Sequence, residues 1–466
     1  MGLFCRTVSG PPTGPPESGN LGVMPGYTIT QTDAAAARPT GHKRAFIIAG
    51  ARGADGRGRD LYVRDGVLVD TAPPGAERLD ADGLIVLPGL VDPHTHLREP
   101  GSTAAETLTS GTAAAARGGF TAVLAMPNTI PPTHGPAEVD WMVRRAVWTP
   151  ARAQVVPVGA VTHERGGKQL ADIEGMARRG VRVFSDDGFC VMDPRIMRQA
   201  LATVALFDGV IAQHSQDERI APPEACCPDE ALAERLGLPV WPSVAESTIV
   251  ARDVQLAAEA GAHLHVCHVS CPETVEIIRW AKKRGIRVTA EVTPHHLLLS
   301  TDKLATGDTT YRVNPPLRPA ADIEVLRAAL ADGTIDMVGT DHAPHTAQVK
   351  NRPMPQARPG MTGLEQALGV VVETMVLSGR MTWTDVARVM SAAPAALAHL
   401  TTQGRPLFPG EPANLVLVDP ARRHVVDRDD TASRSRNNPY HGRLLPDPVQ
   451  LTMRGGMITY TRDARG

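Results

Sequence analysis

The segment PHTHLREPG combines side chains that could bind a metal with one that could bind an anion. His94, His96 and Arg98 alternate along it, and alternate residues of a β-strand point to one face. Two imidazoles on one face suit Zn²⁺ or a similar divalent cation. An arginine beside a metal places two cations together, so the segment predicts a site that also receives a small anion.

The composition is typical of a globular protein with a substantial core. The chain has 466 residues, 42% hydrophobic and 21% charged, which suits a large barrel with additions or two to three domains. A net charge of −2 gives no broad basic surface, so neither nucleic acid nor a membrane is expected as a partner. The six cysteines form no C-x-x-C pair and no signal peptide precedes them, so we expect reduced thiols and a cytoplasmic location.

Short apolar segments alternate with amphipathic helical segments through the middle of the chain. Eight such segments are strand candidates: residues 90–96, 120–128, 153–162, 181–187, 209–215, 262–270, 286–295 and 335–343. This alternation predicts an α/β fold, a parallel (β/α)8 TIM-like barrel. The active site of such a barrel lies at the C-terminal ends of its strands.

Short strands with Asp-Gly turns precede the barrel, and similar strands follow it. We therefore expect one small β-sandwich domain built from both terminal segments. The predicted divisions are a disordered, Pro- and Gly-rich extension at 1–43, the first part of the β-domain at 44–89, the barrel at 90–403 and the second part of the β-domain at 404–463.

Polar side chains stand where the predicted barrel strands end. A lone buried histidine is more often a hydrogen-bonded core residue than a ligand, and an isolated H-x-H pair is weak evidence. Histidines and aspartates from five strand ends that converge on one mouth, with Asn128 at a sixth, favour a divalent-metal site instead. The residues are His94, His96, Asn128, Asp186, Asp187, His214, His268, Asp341, His342 and His345.

Longer motifs around these residues carry a family resemblance. They are LPGLVDPHTHLREPG, AMPNT, FSDDG, HVCHVS, EVTPHHLLL, VNPPLR, GTDHAPH and SRSRNNPYHGRLLP. Over about residues 45–463 the sequence resembles the amidohydrolase superfamily and, within it, the type I dihydroorotases of actinobacterial kind. The resemblance implies a binuclear metal centre and the reversible cyclisation of N-carbamoyl-L-aspartate to L-dihydroorotate, a step of de novo pyrimidine (UMP) biosynthesis.

The resemblance also implies the metal ligands, residue by residue. His94 and His96 would bind one metal together with Asp341, and His214 and His268 would bind the second. Two Zn²⁺ ions per subunit are the expected cofactors.

A bridging ligand is expected on the fourth strand, where many relatives carry a carboxylated lysine. This chain has no lysine between Lys168 and Lys282, and its corresponding motif is FSDDG. Type I relatives use the aspartate directly before the glycine, so the resemblance implies Asp187 as the bridge. Asp186 is the alternative, with capping or a hydrogen bond to a ligand as its other role.

The expected mechanism follows from charge. Two divalent ions outweigh the charges of Asp187, Asp341 and a bridging hydroxide, and water shared by two metals is acidic enough to ionise near neutral pH. The hydroxide would attack the ring amide carbonyl. Asp341 would take its proton and deliver it to the leaving ring nitrogen, so we expect Asp341 to be both a ligand and the general acid/base.

The substrate carboxylate is the anion that Arg98 would bind through two parallel hydrogen bonds. By resemblance, Asn128 and His345 share this carboxylate and Asn314 contacts the ring. Backbone groups at Pro359–Gly360 are expected to close over the ring.

Structural roles compete with these assignments. Arg98 could pair with Glu99 or Glu106, although it shares the face of both histidines, and Asn314 could be a turn former before prolines. Two departures from the family also stand out. The segment after GTDHAPH, TAQVKNRPMPQARPGMTG, lacks the acidic residues of relatives in the loop expected to close, and HSQD replaces HCED after the fifth strand.

Two other functions compete with dihydroorotase. Hydantoinases and allantoinases share the barrel and the metal centre, but usually have a bridging lysine and lack an arginine two residues after H-x-H. A catalytically inactive barrel that only supports aspartate carbamoyltransferase is expected to have lost ligands, whereas this chain keeps them all. The resemblance raises a homodimer, and association with aspartate carbamoyltransferase, as expectations for partners.

Overall fold

A computed structural model describes residues 45–462. The predicted disordered extension at 1–43 lies outside the described residues, as do residue 44 and residue 463 of the predicted β-domain. The strands are β1 (Phe46–Gly53), β2 (Gly58–Arg64), β3 (Val67–Val69), β4 (Glu77–Asp80), β5 (Ile85–Pro88), β6 (Leu90–Thr95), β7 (Phe120–Ala125), β8 (Gln154–Pro157), β9 (Val183–Phe184), β10 (Val210–Gln213), β11 (His263–Val266), β12 (Val288–Val292), β13 (Met337–Val338), β14 (Leu415–Val418), β15 (Arg423–Val425), β16 (Leu444–Pro446), β17 (Val449–Arg454) and β18 (Met457–Thr461).

Helices separate most of the central strands. The α-helices are α1 (Leu108–Arg117), α2 (Pro136–Trp148), α3 (Ile173–Arg178), α4 (Pro194–Ala205), α5 (Glu230–Leu236), α6 (Val244–Ala260), α7 (Pro272–Lys283), α8 (Pro294–Leu298), α9 (Ala320–Asp332), α10 (Ala347–Lys350), α11 (Ala367–Val371), α12 (Trp383–Ala387) and α13 (Ala393–Leu397). Short 3₁₀ turns lie at His163–Arg165, Thr301–Thr306, Thr309–Tyr311 and Met354–Gln356. Wider π-helical turns continue α11 at Val372–Val376 and α12 at Arg388–Ala392.

Strands β6 to β13 form a parallel barrel in sequential order. β6 to β8 pair with one another, and so do β9 to β13. Two narrower contacts join these groups, because Gly159 pairs with Phe184 and Thr95 pairs with His342. The predicted (β/α)8 architecture is confirmed.

Alternate strand residues face the interior and the surrounding helices, as the side-chain period of a strand requires. On β7, Ala122 and Leu124 belong to a cluster that also takes residues from β6, β8, β9, β10 and β13 and therefore fills the interior. Val123 and Ala125 belong to the cluster that includes the helices.

Each observed barrel strand ends before the last residue of the segment that the sequence predicted for it. β10 stops at Gln213 and β13 at Val338, although the predicted segments run to 215 and 343. The backbone leaves the sheet at the barrel mouth, where His268 and Asp341 have φ angles of 33° and 44°. Apart from His94, which lies within β6, the residues expected to bind metal follow the strand ends.

The terminal segments combine in one sheet of eight strands, in the order β18-β17-β14-β5-β1-β2-β3, with β4 also paired to β1. β1 pairs with β4 through Phe46–Ala49 and, beyond an irregularity in its register, with β5 through Arg52–Gly53. Ile48, Val86 and Leu415 meet in a shared core, so both ends of the chain contribute to it, as predicted for the small β-domain.

Two simple findings concern the rest of the chain. Between residues 45 and 462, no helix has both the length and the apolar composition needed to cross a bilayer. The five cysteines in that range are buried and unpaired.

Candidate metal centre and substrate pocket

Six predicted ligands converge at the barrel mouth. Each lies at the C-terminal end of a barrel strand or shortly after it, and β6 supplies two of them. Each residue is at most 6% exposed. They are His94, His96, Asp187, His214, His268 and Asp341.

Asp187 lies at the centre of the group. Its Oδ1 is 3.3 Å from His94 Nε2 and 3.5 Å from His268 Nε2. The same oxygen is 3.6 Å from His214 Nδ1, and the other oxygen, Oδ2, is 3.3 Å from His96 Nε2. One carboxylate therefore contacts a histidine from both predicted metal sites, which is the arrangement expected of a bridge.

Asp186 turns the other way. Its Oδ1 accepts hydrogen bonds from the backbone N–H groups of Val161 (2.9 Å) and Thr162 (3.0 Å), and its Oδ2 accepts one from the Thr162 hydroxyl. These bonds occupy both oxygens of Asp186, so of the two aspartates only Asp187 faces the histidines. The structure places Asp187 there.

Asp341 completes the first predicted site. Its Oδ1 lies 2.9 Å from His96 Nε2 and 3.7 Å from His94 Nε2. Arg98, His268 and Asp341 all have positive φ, at 59°, 33° and 44°. Such conformations cost about 1–3 kcal/mol each in residues other than glycine and concentrate at functional sites.

Glu291 on β12 fixes the orientation of His94. Its Oε1 lies 2.6 Å from His94 Nδ1, and because a carboxylate only accepts, this nitrogen carries the proton. Nε2 is therefore the nitrogen of His94 that is left to bind a cation, and it faces Asp187. A Cβ at Gly339 would lie 2.3 Å from Glu291 Oε2, so the glycine leaves room for this carboxylate.

Gln216 orients His214 in the same way. Its amide nitrogen donates to the Ala221 carbonyl (2.8 Å), which turns its Oε1 toward His214 Nε2 at 3.0 Å. His214 therefore donates through Nε2, and its Nδ1 lies 2.9 Å from His268 Nε2 and 3.6 Å from Asp187 Oδ1, where a cation could bind. The substitution of HSQD for HCED thus preserves an acceptor for the histidine. The same Oε1 accepts from Asn314 Nδ2 at 2.7 Å.

The donor set fits divalent cations. His94 Nε2 and Asp187 Oδ1 are buried, and neither has a hydrogen-bond partner among residues 45–462. Ligand atoms of His94, His96 and Asp341 lie within 4.8 Å of one another, as do those of His94, Asp187 and His268. Neutral imidazole and carboxylate together are the ligands that zinc prefers, and a cation would satisfy the buried lone pairs.

The carboxylates stay ionised at neutral pH. Burial would raise the pKa of Asp187, but the surrounding histidines, His94 above all, hold it well below its usual range. Burial likewise opposes ionisation of Asp341, whereas the hydrogen bond to His96 and the charge of His94 lower its pKa. Two negative groups in an apolar interior create a strong demand for cations.

A cavity of about 620 Å³ opens beside this centre and is lined by every predicted substrate-binding residue. Arg98 Nε donates to the Pro344 carbonyl at 3.2 Å, and Arg98 Nη2 lies 3.5 Å from His345 Nε2. His345 Nε2 is also 2.8 Å from the Pro359 carbonyl, so it carries a proton. Asn128 Oδ1 lies 2.9 Å from His96 Nδ1 and connects the two sides of the cavity.

Arg98 has no acidic partner in the described part of the chain. Glu99 pairs with Arg145 at 2.8 Å, and Glu106 accepts from the Ser433 hydroxyl and lies 3.3 Å from His342 Nε2. The alternative salt bridges are therefore absent. Burial lowers the pKa of Arg98 to about 10, so the guanidinium is still cationic at neutral pH and free to pair with a bound anion.

Asn314 lies in the cavity as well as before a proline. Its Oδ1 is buried and has no hydrogen-bond partner within residues 45–462. Asn314 lines the cavity, and a carbonyl oxygen left unpaired in this way needs a hydrogen-bond donor, which a turn former alone would not require.

Sequence reasoning missed Glu291, Gln216 and Asp92. Asp92 accepts from Thr340 N (2.8 Å) and Thr340 Oγ1 (2.6 Å), so it joins β6 to the turn that carries Asp341. The available signal was a carboxylate inside an apolar strand, as in LVDPH and VTAEV, because such a group needs a buried partner.

Comparisons with known proteins agree on one family. Residues 83–274 match the model of the Dihydro-orotase-like family, and residues 230–459 match that of the Amidohydrolase family. A dihydroorotase of Leifsonia xyli is 50% identical over 422 residues, which cover 89% of this chain and 95% of that protein. A dihydroorotase of Mycobacterium tuberculosis is 49% identical over 430 residues, with 90% and 99% covered.

Among solved structures, the L-hydantoinase (dihydropyrimidinase) from Arthrobacter aurescens superposes with a TM-score of 0.80 at 26% sequence identity. The match covers 89% of this chain and 96% of that chain.

Proposed function

The chain belongs to the dihydroorotase family of metal-dependent amidohydrolases and catalyses the reversible cyclisation of N-carbamoyl-L-aspartate to L-dihydroorotate, and from this premise we propose how its residues perform the reaction. The hydantoinase alternative has only the shared fold at 26% identity in its favour. The alternative of an inactive barrel conflicts with a complete set of predicted ligands in mutual contact.

We propose that two zinc ions are the cofactors. His94, His96 and Asp341 would hold one, His214 and His268 the other, and Asp187 would join both. The inward-facing nitrogens His94 Nε2 and His214 Nδ1 support this assignment, and so does Asp187 Oδ1, which has no hydrogen-bond partner among the described residues. When bound, such ions lower the pKa of water and polarise a carbonyl oxygen.

We propose that Asp341 moves the proton. In the hydrolytic direction a C–O bond forms between water and the ring carbonyl carbon, and the amide C–N bond to the ring nitrogen breaks. One water proton passes through the Asp341 carboxylate to that nitrogen, which leaves as part of the ureido group. The carbonyl becomes a carboxylate, and the second water proton is released to solvent. Cyclisation reverses each transfer. Asp341 is ionised, and its 6% exposure faces the cavity, so it can reach the reacting bond.

We propose that Arg98, Asn128 and His345 bind the substrate carboxylate, and that Asn314 and the Gly360 backbone contact the ring. The observation that carries this proposal is that Arg98, which has no acidic partner among residues 45–462, lies in the same cavity as the His/Asp cluster. A small ring with one carboxylate beside an amide would reach both at once.

Assays of purified protein with L-dihydroorotate, hydantoin and allantoin, alongside metal analysis, test these assignments. We expect turnover of dihydroorotate and up to two metals per chain. Arg98→Ala should weaken dihydroorotate turnover and leave the metal in place, whereas Arg179→Ala, which only removes an ion pair with Asp140 (3.0 Å), should change neither. Loss of metal in Arg98→Ala would show that Arg98 is structural.

The expected homodimer, the association with aspartate carbamoyltransferase and the cytoplasmic location have family resemblance as their support. Light scattering of the chain alone and mixed with the carbamoyltransferase tests the first two, and cell fractionation tests the third.

A further inference from the structure

The motif SRSRNNPYHG, late in the chain, has no part in the chemistry described above. It lies within the predicted second part of the β-domain, yet its side chains contact the mouth of the barrel. Ser435 Oγ donates to the Ala105 carbonyl at 2.7 Å, and Ser435 and Asn437 are 4% and 5% exposed. A segment this buried, so far along the chain from its contacts, must order the loops that it touches.

Both the nitrogen and the oxygen of the Asn437 side-chain amide form hydrogen bonds with backbone groups on the substrate side of the cavity. Its Nδ2 donates to the carbonyls of Ala343 (2.9 Å) and Gly360 (3.1 Å). Its Oδ1 accepts from the backbone N–H of His345 at 3.1 Å. One side chain therefore fixes both the loop that carries His345 and the loop that carries Gly360.

Lys350 approaches the same glycine from the other side. Its Nζ donates to the carbonyls of Arg312 (3.1 Å), Arg358 (3.0 Å) and Gly360 (3.0 Å). The side chain is only 3% exposed, and no carboxylate lies within ion-pair distance of it in the described part of the chain. All three ammonium hydrogens thus bind backbone oxygens.

Gly360 is the point where these contacts meet. Its φ of 137° is a conformation that favours glycine, and a Cβ would lie 2.7 Å from Ala343 Cβ and 3.0 Å from His345 Nε2. The neighbouring Pro359 carbonyl accepts a hydrogen bond from His345 Nε2. Any shift of this peptide therefore moves a proposed carboxylate-binding group.

We propose that Asn437 and Lys350, which together hold the Gly360 carbonyl and are here called the Gly360 clamp, are positioning residues that set the affinity for the substrate carboxylate. The inference rests on the proposed roles of Arg98 and His345. The clamp contacts none of the six predicted metal ligands, so it acts on binding and leaves the metal centre intact.

The test compares Asn437→Ala with Asn438→Ala in the full-length, metal-loaded enzyme. Asn438 is equally buried at 4% and adjacent in sequence, but its amide binds Gln366 (3.0 Å) and the Tyr440 N–H (2.9 Å), away from the cavity. We expect Asn437→Ala to raise the KM for dihydroorotate and the Kd for orotate about tenfold, with kcat within about threefold and metal content unchanged. Asn438→Ala should leave all four quantities unchanged.

Lys350→Met gives an independent check from a different segment, and its KM should rise in the same way. Equal effects of the two asparagine variants, or an unchanged KM in either clamp variant, would overturn the inference. Arg98→Ala distinguishes a failure of the Gly360 clamp from a failure of the proposed carboxylate site. If it raises KM while the clamp variants do not, the carboxylate site stands and the clamp is wrong. If it leaves KM unchanged, the proposed carboxylate site fails, and the clamp fails with it.

Discussion

Replacement of Glu291 by glutamine should weaken metal binding although Glu291 is not itself a predicted ligand. The buried carboxylate accepts from His94 Nδ1 at 2.6 Å and is 1% exposed. Burial opposes its ionisation, but His94 and His265 lower its pKa to about 2, so it is negatively charged at neutral pH. The hydrogen bond that orients His94 is therefore charge-assisted.

The size of the effect follows from the change of charge at nearly constant shape. A hydrogen bond to a charged group contributes about 1.5–3 kcal/mol, and a neutral one about 0.5–1.5 kcal/mol. Glutamine keeps an acceptor oxygen but loses the charge, so about 1–1.5 kcal/mol of the free energy that orients His94 is lost. This corresponds to about a tenfold weaker metal affinity, the lower end of the range for residues that orient a ligand.

Competition with a chelator of known zinc affinity measures this change. Glu365→Gln is the matched control, because that carboxylate is also buried, with its side chain 5% exposed, and binds Thr431, the Ala432 N–H and Arg117 away from the metal centre. We expect the zinc Kd to rise about tenfold in Glu291→Gln only, with activity restored by excess zinc. An unchanged Kd, or equal losses in both variants, would falsify the proposed role of Glu291.

Three further predictions concern the acid/base group and the loops. Asp341→Asn should lower kcat by about 10²- to 10⁴-fold while most of the metal is retained, as measured by steady-state kinetics and metal analysis. Gly360→Ala should lower the free energy of unfolding by about 1–3 kcal/mol and raise KM, because a side chain at φ 137° meets His345; urea titration and kinetics test this. Burial lowers the pKa of Lys350 to about 7, with Arg312 adding to the effect. Between about pH 7 and 10.4 the unfolded chain therefore binds a proton at Lys350 that the folded chain lacks. The free energy of unfolding should rise with pH in this range by up to about 1.4 kcal/mol per pH unit. Lys350→Met should remove this rise, as measured by urea titrations at matched metal concentration.

The barrel and the convergence of the proposed metal ligands could be predicted from the sequence because both depend on local patterns. Apolar strands can be recognised from their composition, and the residues at their C-terminal ends must meet once the strands are parallel in a barrel. The family resemblance favoured Asp187 over Asp186, but local patterns alone did not, since the orientation of each side chain depends on which way the backbone turns after β9. Glu291 and Asn437 needed it even more, because their partners His94 and His345 lie 197 and 92 residues away.

The two sides of the cavity are built differently, and this determines how each should respond to change. The metal side consists of buried strand ends whose histidines are fixed by groups such as Glu291 and Gln216, so its geometry changes only if the barrel does. The carboxylate side depends on loops around His345 and Gly360 that are held by single side chains from elsewhere. Arg98 connects the two sides. It follows the chain segment of His94 and His96 directly, and its side chain donates a hydrogen bond to the Pro344 carbonyl in the loop. Substitutions in the loops should therefore alter KM and substrate choice at constant metal content, whereas Arg98 fixes the position of the carboxylate relative to the metals.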